Sequence, residues 1–127
     1  MAYSDTVVHL DIALRGGVTM AEQVHRVILR GKFGGLDRHA RAALLAEADD
    51  HDVLDARFTG RGSLTYDRRL AGFTFRCELS VPEDIGRAEL RKRAETKLAA
   101  LLAAFGCGHR DLELSSTNMA RIKIRRR

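Results

Sequence analysis

Cysteine, proline and long apolar runs are all scarce in this sequence. Its 127 residues include two cysteines, one proline and no tryptophan. Two cysteines in a chain without a recognisable secretion signal are too few for a disulfide framework, so we expect free thiols and a cytoplasmic location. No apolar run approaches the ~20 residues that a membrane-spanning helix needs, and we therefore expect no membrane partner.

Catalytic and metal-binding motifs are missing as well. Cys107 and His109 are two candidate ligands near a helix exit, whereas a zinc site normally has four ligands, or three and a water. The other chemically versatile residues, His25, His39 and His51, are dispersed along the chain. We therefore expect no metal and no cofactor. The sequence assigns no catalytic residue and leaves open whether the protein is an enzyme.

Positive charge is the strongest signal in the composition. Lysine and arginine number 22 against 17 aspartates and glutamates, which gives a net charge of +5 and a pI of about 9.8. Such an excess favours acidic partners, namely nucleic acid, phosphorylated metabolites or anionic lipid. The length suits one domain with a modest core.

The first 19 residues stand apart from the rest. Residues 8–14 alternate apolar and polar side chains, as a half-buried strand does. The segment RGGVTM, residues 15–20, can however be encoded by a purine-rich ribosome-binding sequence ahead of a start codon at Met20. We therefore predict an N-terminal extension over residues 1–19, either an extra strand or a non-native leader, and a single domain over residues 20–127.

From residue 24 onward, the spacing of apolar residues predicts an ordered series of strands and helices. Residues 24–33 alternate as a strand with one apolar face, and Asp37 is placed to cap a helix over residues 38–50. Turn signals at TGRG and DRRLAG separate three short runs of β-forming residues, which give two or three strands. A long amphipathic helix is predicted between Pro82 and Phe105, with Gly106 at its end. The segments DLELSS and ARIKI predict a last strand, bent near STN.

This order predicts a ferredoxin-like α+β sandwich, β-α-β-β-α-β, with an antiparallel sheet and two helices on one face. The terminal strands are expected to lie side by side. In the clearest strand the core side is shared by Phe73, Phe75, Cys77 and Leu79. Cys77 is therefore predicted to be a core residue and not a reactive thiol.

The same alternation places a set of cations on the helix-free face of the predicted sheet. If Ile122 and Ile124 point towards the helices, the residues between them project the opposite way, beside the cations of the first strand. The predicted anion-binding residues are Arg26, Arg30, Lys32, Arg76, Arg121, Lys123 and Arg125. Such a face can contact the phosphates of nucleic acid or of a phosphorylated small molecule. It would lack stacking aromatics, because Phe33, Phe73 and Phe75 fall on the core side.

A homodimer provides an alternative to anion binding. Two sheets packed face to face would enclose a pocket for an aromatic or polyketide-like metabolite, on which the protein would act as a small enzyme or carrier, using His25 or Tyr66. The buried cations would then need carboxylate partners. We therefore expect the homodimer to pair through an edge strand instead.

The segment RGKFGGLD, residues 30–37, is a second candidate anion site. Glycines between a strand and a helix can expose backbone N–H groups to an anion, and the candidates are Gly31, Gly34 and Gly35. The segment resembles the phosphate loop of acylphosphatases, small ferredoxin-like enzymes, in its Gly31, Phe33, Gly35 and Leu36. It departs from that family at His39, where an arginine is needed, and at Phe58 and Thr59, near the place of a needed asparagine.

Three further segments, LRGKFGGL, HDVLDARFTGRGSLTYDRRLAGFTFR and the closing NMARIKIRRR, carry a resemblance that covers residues 24–127. They resemble a small uncharacterised family of stand-alone proteins from high-GC Gram-positive bacteria. The resemblance implies a short cytoplasmic protein and supplies no activity or catalytic residues. Members of that family begin near the first strand, which favours Met20 as the natural start.

Overall fold

The computed structural model describes residues 22–120, which form one antiparallel sheet with two α-helices on one of its faces. In chain order the elements are β1 (Glu22–Gly34), α1 (Arg38–Ala46), β2 (Ser63–Tyr66), β3 (Phe73–Pro82), α2 (Arg87–Ala103) and β4 (Gly108–Asn118). The strand order is β2-β3-β1-β4. This is the predicted ferredoxin-like arrangement, with the first strand in the middle and the last strand beside it at the edge.

The core lies between the helices and the sheet. Every second residue of β1 faces the helices, and Val27, Leu29 and Phe33 are buried there. The helices cover them with residues at four-residue spacing, namely Ala40, Leu44, Leu90, Ala94, Leu98 and Leu102. Cys77 is fully buried among these side chains, as its position on the core side of β3 predicts.

The ends of both helices follow the local chemistry that the sequence predicts. Asp37 caps α1, because its carboxylate accepts a hydrogen bond of 2.8 Å from the backbone N–H of Ala40. Gly106 follows α2 with φ +80°, a left-handed conformation that glycine adopts without steric cost. Within residues 22–120, no helix combines the length and the apolar character needed to cross a membrane.

Two predicted boundaries are wrong. The α-helix α1 ends at Ala46 and not at residue 50, because Glu47 leaves helical geometry and the chain tightens into a 3-10 turn over Ala48–His51. Of the two or three strands predicted from the β-rich runs, the structure has two, β2 and β3, and the first run is not a strand. It forms a 3-10 turn over Val53–Asp55, which the Asp52 side chain caps by accepting from the N–H of Leu54 at 2.9 Å.

The last strand also differs from its prediction. β4 ends at Asn118, whose side-chain oxygen accepts from the N–H of Ala120, and the two residues after Asn118 are helical. The predicted strand therefore does not continue through Ala120. Its cations Arg121, Lys123 and Arg125, like the extension over residues 1–19, lie outside the described residues.

Gly62 is required where the chain enters β2. Its φ of +104° lies in the region that residues with a side chain rarely adopt, and a Cβ atom at this position would collide with the ring of Phe75. Phe75 is fully buried at the centre of the core and has no room to move away.

We expect Gly62→Ala to lower the free energy of unfolding by about 2 kcal/mol or more, because the variant combines backbone strain with overpacking of the core. Urea denaturation followed by circular dichroism measures the loss. Gly60→Ala is the matched control: its new Cβ atom would contact nothing within 4 Å, and Gly60 has no positive φ. Equal stability of the two variants would show that glycine is not required at position 62.

Candidate anion-binding face

The side of the sheet opposite the helices, which we call the open face, carries the alternate residues of each strand. On β1 these residues include Arg26, Ile28, Arg30 and Lys32, and on β3 they include Thr74, Arg76 and Glu78. Because residues directly opposite each other in neighbouring strands point to the same side, the pairing register identifies the rest of the face. Four of the seven predicted cations, Arg26, Arg30, Lys32 and Arg76, thus share one surface.

Arg110 also lies on this face, and the sequence did not predict it. A β-bulge interrupts the pairing of β1 with β4 between Arg30 and Lys32, and it leaves Lys32 directly opposite Arg110. The bulge contains Asp111, whose φ is +55°. Without this extra residue, simple alternation from Glu113 would turn Arg110 towards the helices. The preference of aspartate for left-handed conformations is the one local signal of the bulge.

Four of these cations form a group, which we call the cation cluster: Arg30, Lys32, Arg76 and Arg110. Glu113 lies directly opposite Arg30 on β4, but the two form no ion pair. Within residues 22–120, the first three members of the cluster form no ion pair with any carboxylate. Arg76 donates to the hydroxyl of Thr65 at 3.2 Å. Arg110 has a solvent-exposed contact of 3.5 Å with the carboxylate of Asp111, and such exposed pairs contribute little.

The positions within the cation cluster are close enough to repel. Lys32 and Arg110 are directly opposite each other, which places their Cβ atoms about 5 Å apart. Arg30 is opposite Thr74, and Arg76 lies two residues further along β3, at a diagonal spacing of about 7 Å. Like charges directly opposite each other, as Lys32 and Arg110 are, destabilise a sheet, so a bound anion would relieve this cost.

Arg26 differs from the cluster because its charge is already paired within the protein. Its Nε donates to Glu78 Oε2 at 3.0 Å, and its guanidinium group lies 5.2 Å from the centre of the Phe58 ring. The guanidinium group is therefore held by an ion pair and a cation–π contact together.

Phe58 brings an aromatic ring to the open face, where the sequence predicted none. It lies in the loop before β2, beyond the reach of strand alternation. This loop runs along the edge of β3, where the carbonyl of Thr59 accepts from the N–H of Glu78 at 2.8 Å. The tertiary hydrogen bond therefore places Phe58 beside Arg26.

Side chains cover parts of both edges of the sheet. On β4, the carbonyls of Leu112 and Leu114 accept from Arg91 at 3.4 Å and from Arg87 at 2.9 Å, both from α2. On β2, the carbonyl of Leu64 lies 2.8 Å from Nδ1 of His51. Occupied carbonyls make an edge a poor template for another strand. A second copy that paired along either edge would have to displace these side chains.

The three candidate glycines of residues 30–37 do not converge on one point. Gly31 and Gly34 lie inside β1, where they pair with Phe73 and Gly108. Gly35 alone follows the strand, with φ +66°. The carboxylate of Asp37 already occupies the start of α1, and its negative charge would repel an anion there.

The buried groups with reactive side chains are held in their neutral forms. Burial raises the pKa of Cys77 to about 11 and, with the nearby carboxylates of Glu47 and Asp50, the pKa of Tyr66 to about 12. Burial also raises the pKa of Cys107. The hydroxyl of Tyr66 donates to the carbonyl of Leu44 at 2.7 Å inside the core. Among residues 22–120, no three histidines, cysteines or carboxylates are grouped as metal ligands are.

Residues 20–127 match a family of unknown function, DUF6204. Searches of the curated proteins and of the solved structures each found no match.

The raised pKa of Cys77 predicts alkaline destabilisation. The unfolded thiol loses its proton near its ordinary pKa of 9.0, whereas the folded protein keeps that proton up to about pH 11. Stability is therefore full below pH 9 and falls as the pH rises from 9 to 11, by at most about 1.4 kcal/mol per pH unit. Urea denaturation at a series of pH values measures the slope.

Cys77→Ala is the control for this slope. The variant should be less stable at pH 8, because it leaves a small cavity in the core. It should nevertheless lose less stability than the unmodified protein between pH 9 and 11, since Tyr66 titrates equally in both. Parallel pH profiles for the two proteins would show that the slope does not come from the Cys77 thiol.

Proposed function

The chain belongs to the family of unknown function DUF6204, and we propose that it is a non-catalytic binding module whose open face recognises a phosphate-bearing anion. The ligand is a nucleic acid or a phosphorylated metabolite, bound in the cytoplasm. The observation that carries the proposal is the cation cluster, in which Arg30, Lys32 and Arg76 form no ion pair within residues 22–120.

The extent of the cation cluster favours a ligand with several charges. Its members come from three neighbouring strands, β3, β1 and β4. With a strand spacing of about 4.8 Å, the cluster is too wide for one small carboxylate to contact all its members. Three of the four are arginines, whose planar guanidinium groups match the oxygens of phosphate in pairs.

The chemistry of the other residues supports binding over catalysis. A nucleophile or general base must lose a proton near neutral pH, and burial raises the pKa of Cys77 and of Tyr66. Tyr66 also uses its hydroxyl in the core. These contacts give little support to the alternative of an enzyme or carrier with Tyr66 in a pocket between subunits.

A homodimer remains a proposal, with limits on its geometry. Contact through the two open faces would bring the cation clusters together, at a cost that increases with burial. Contact through β4 would compete with Arg87 and Arg91 for the carbonyls of the strand. A dimer is therefore compatible with anion binding where it uses neither surface.

The charge of the cation cluster should control binding. We expect the double variant Arg30→Gln/Lys32→Gln to bind fluorescent polyphosphate, single-stranded RNA or single-stranded DNA at least about tenfold more weakly. Losing two phosphate contacts should also reduce the slope of log affinity against log salt by about 1.4 for single strands. Fluorescence anisotropy at several salt concentrations measures both quantities.

Lys92→Gln/Arg93→Gln is the matched control. It removes the same two residue types from exposed positions on α2, away from the open face. It should preserve most of the affinity. Equal loss in both double variants, or an affinity indifferent to salt, would overturn the proposal.

A further inference from the structure

A small niche lies on the open face at the end away from Lys32 and Arg110. Its volume is about 220 Å³, and it opens to solvent. Its floor is apolar, with Ile28, Phe58 and Met119, and its rim carries the hydroxyls of Ser115 and Thr117. Both hydroxyl residues pair with β1, Ser115 with Ile28 and Thr117 with Arg26.

The niche suits a flat group without charge. Its one cation, Arg26, is paired with Glu78 and lies 5.2 Å over the centre of the Phe58 ring, so it presents a guanidinium group beside an aromatic ring. Planar guanidinium and aromatic groups are the surfaces on which proteins stack unpaired bases. The hydroxyls of the rim both donate and accept hydrogen bonds, as the edges of a base require.

The distance to the cation cluster determines how long the ligand is. Ile28, which lines the niche, is two residues from Arg30 and four from Lys32 on β1, which corresponds to about 7 Å and about 13 Å along an extended strand. The distance to Lys32 is longer than the distance from a base to its own phosphate. A ligand with a base in the niche and phosphates on Arg30 and Lys32 must therefore extend beyond a single nucleotide, and its base must be unpaired.

We infer that the niche formed around Phe58 and Arg26 holds one unpaired base of a single-stranded nucleic acid whose neighbouring phosphates lie on Arg30, Lys32 and Arg110. This inference rests on the proposed function and identifies its ligand class. The cation cluster supplies affinity for the backbone, and the niche selects nucleic acid over other polyphosphates. The hydroxyls of Ser115 and Thr117 are the groups placed to distinguish one base from another.

The test compares ligands that share phosphates and differ in bases. The probes are a fluorescent uridine oligonucleotide, an abasic oligomer of the same length and inorganic polyphosphate. We expect Phe58→Leu, which keeps the apolar volume and removes the ring, to bind the oligonucleotide about tenfold more weakly. Its affinity for the abasic oligomer and for polyphosphate should not change. Uridine monophosphate should compete poorly at equal concentration, because it cannot reach both sites.

The outcomes separate this inference from the proposed function. If Arg30→Gln/Lys32→Gln weakens all three probes and Phe58→Leu weakens only the oligonucleotide, both are supported. If Phe58→Leu acts equally on all three, or on none, the niche does not bind a base, although the cation cluster still binds phosphate. If the double variant changes no affinity, the proposed function itself fails.

A second measurement uses the unmodified protein, so it does not depend on how the variant folds. A 5-iodouridine oligonucleotide is photocrosslinked to the protein, and the adduct is located by mass spectrometry of peptides. We expect the adduct on the peptide that contains Phe58. An adduct confined to α1 or to α2 would overturn the inference.

Discussion

The two-sided pairing of β1 is the constraint on which the rest of this structure depends. β1 has thirteen residues and pairs with β3 on one side and with β4 on the other. Its alternation is therefore fixed by two ladders and by the burial of Val27, Leu29 and Phe33 under the helices. A shift by one residue would bury Arg26 and Arg30 and expose the core residues, at a large cost. The position of the cations is a consequence of how the core is packed.

The edges of the sheet and its open face differ in how far their polar groups are already paired. The side chains of Arg87, Arg91 and His51 contact carbonyls on both edges. On the open face, in contrast, Arg30, Lys32 and Arg76 form no ion pair within the described part of the chain. The chain contains enough acidic residues to neutralise the face, as Glu78 does for Arg26. The charge of the cation cluster is thus a local feature of the structure, and not only a result of the basic composition. This contrast is why we assign binding to the open face.

The open face also combines two kinds of surface that complement one ligand. The cation cluster lies at one end and attracts phosphate, while the niche at the other end is apolar, rimmed by hydroxyls and free of net charge. The sequence predicted Arg26 as an anion-binding residue together with the cations of the cluster. In the structure it belongs to the niche, because its ion pair with Glu78 and its contact with Phe58 change what it can bind. A polyanion with flat, neutral side groups matches both ends, and single-stranded nucleic acid has this chemistry.

The sequence by itself determined the order of the elements, the strand alternation, the cap at Asp37, the burial of Cys77 and the shared face of Arg26, Arg30, Lys32 and Arg76. All of these depend on local periodicity or on the chemistry of one residue, which a linear pattern records. Only the tertiary structure decided that Arg110 joins the cluster, that Phe58 reaches the open face and that the edges are covered. No linear pattern contains these features. The bulge in β4 breaks the two-residue period of a strand. The loop along the edge of β3 and the arginines that reach from α2 to β4 bring together residues that are distant in the sequence.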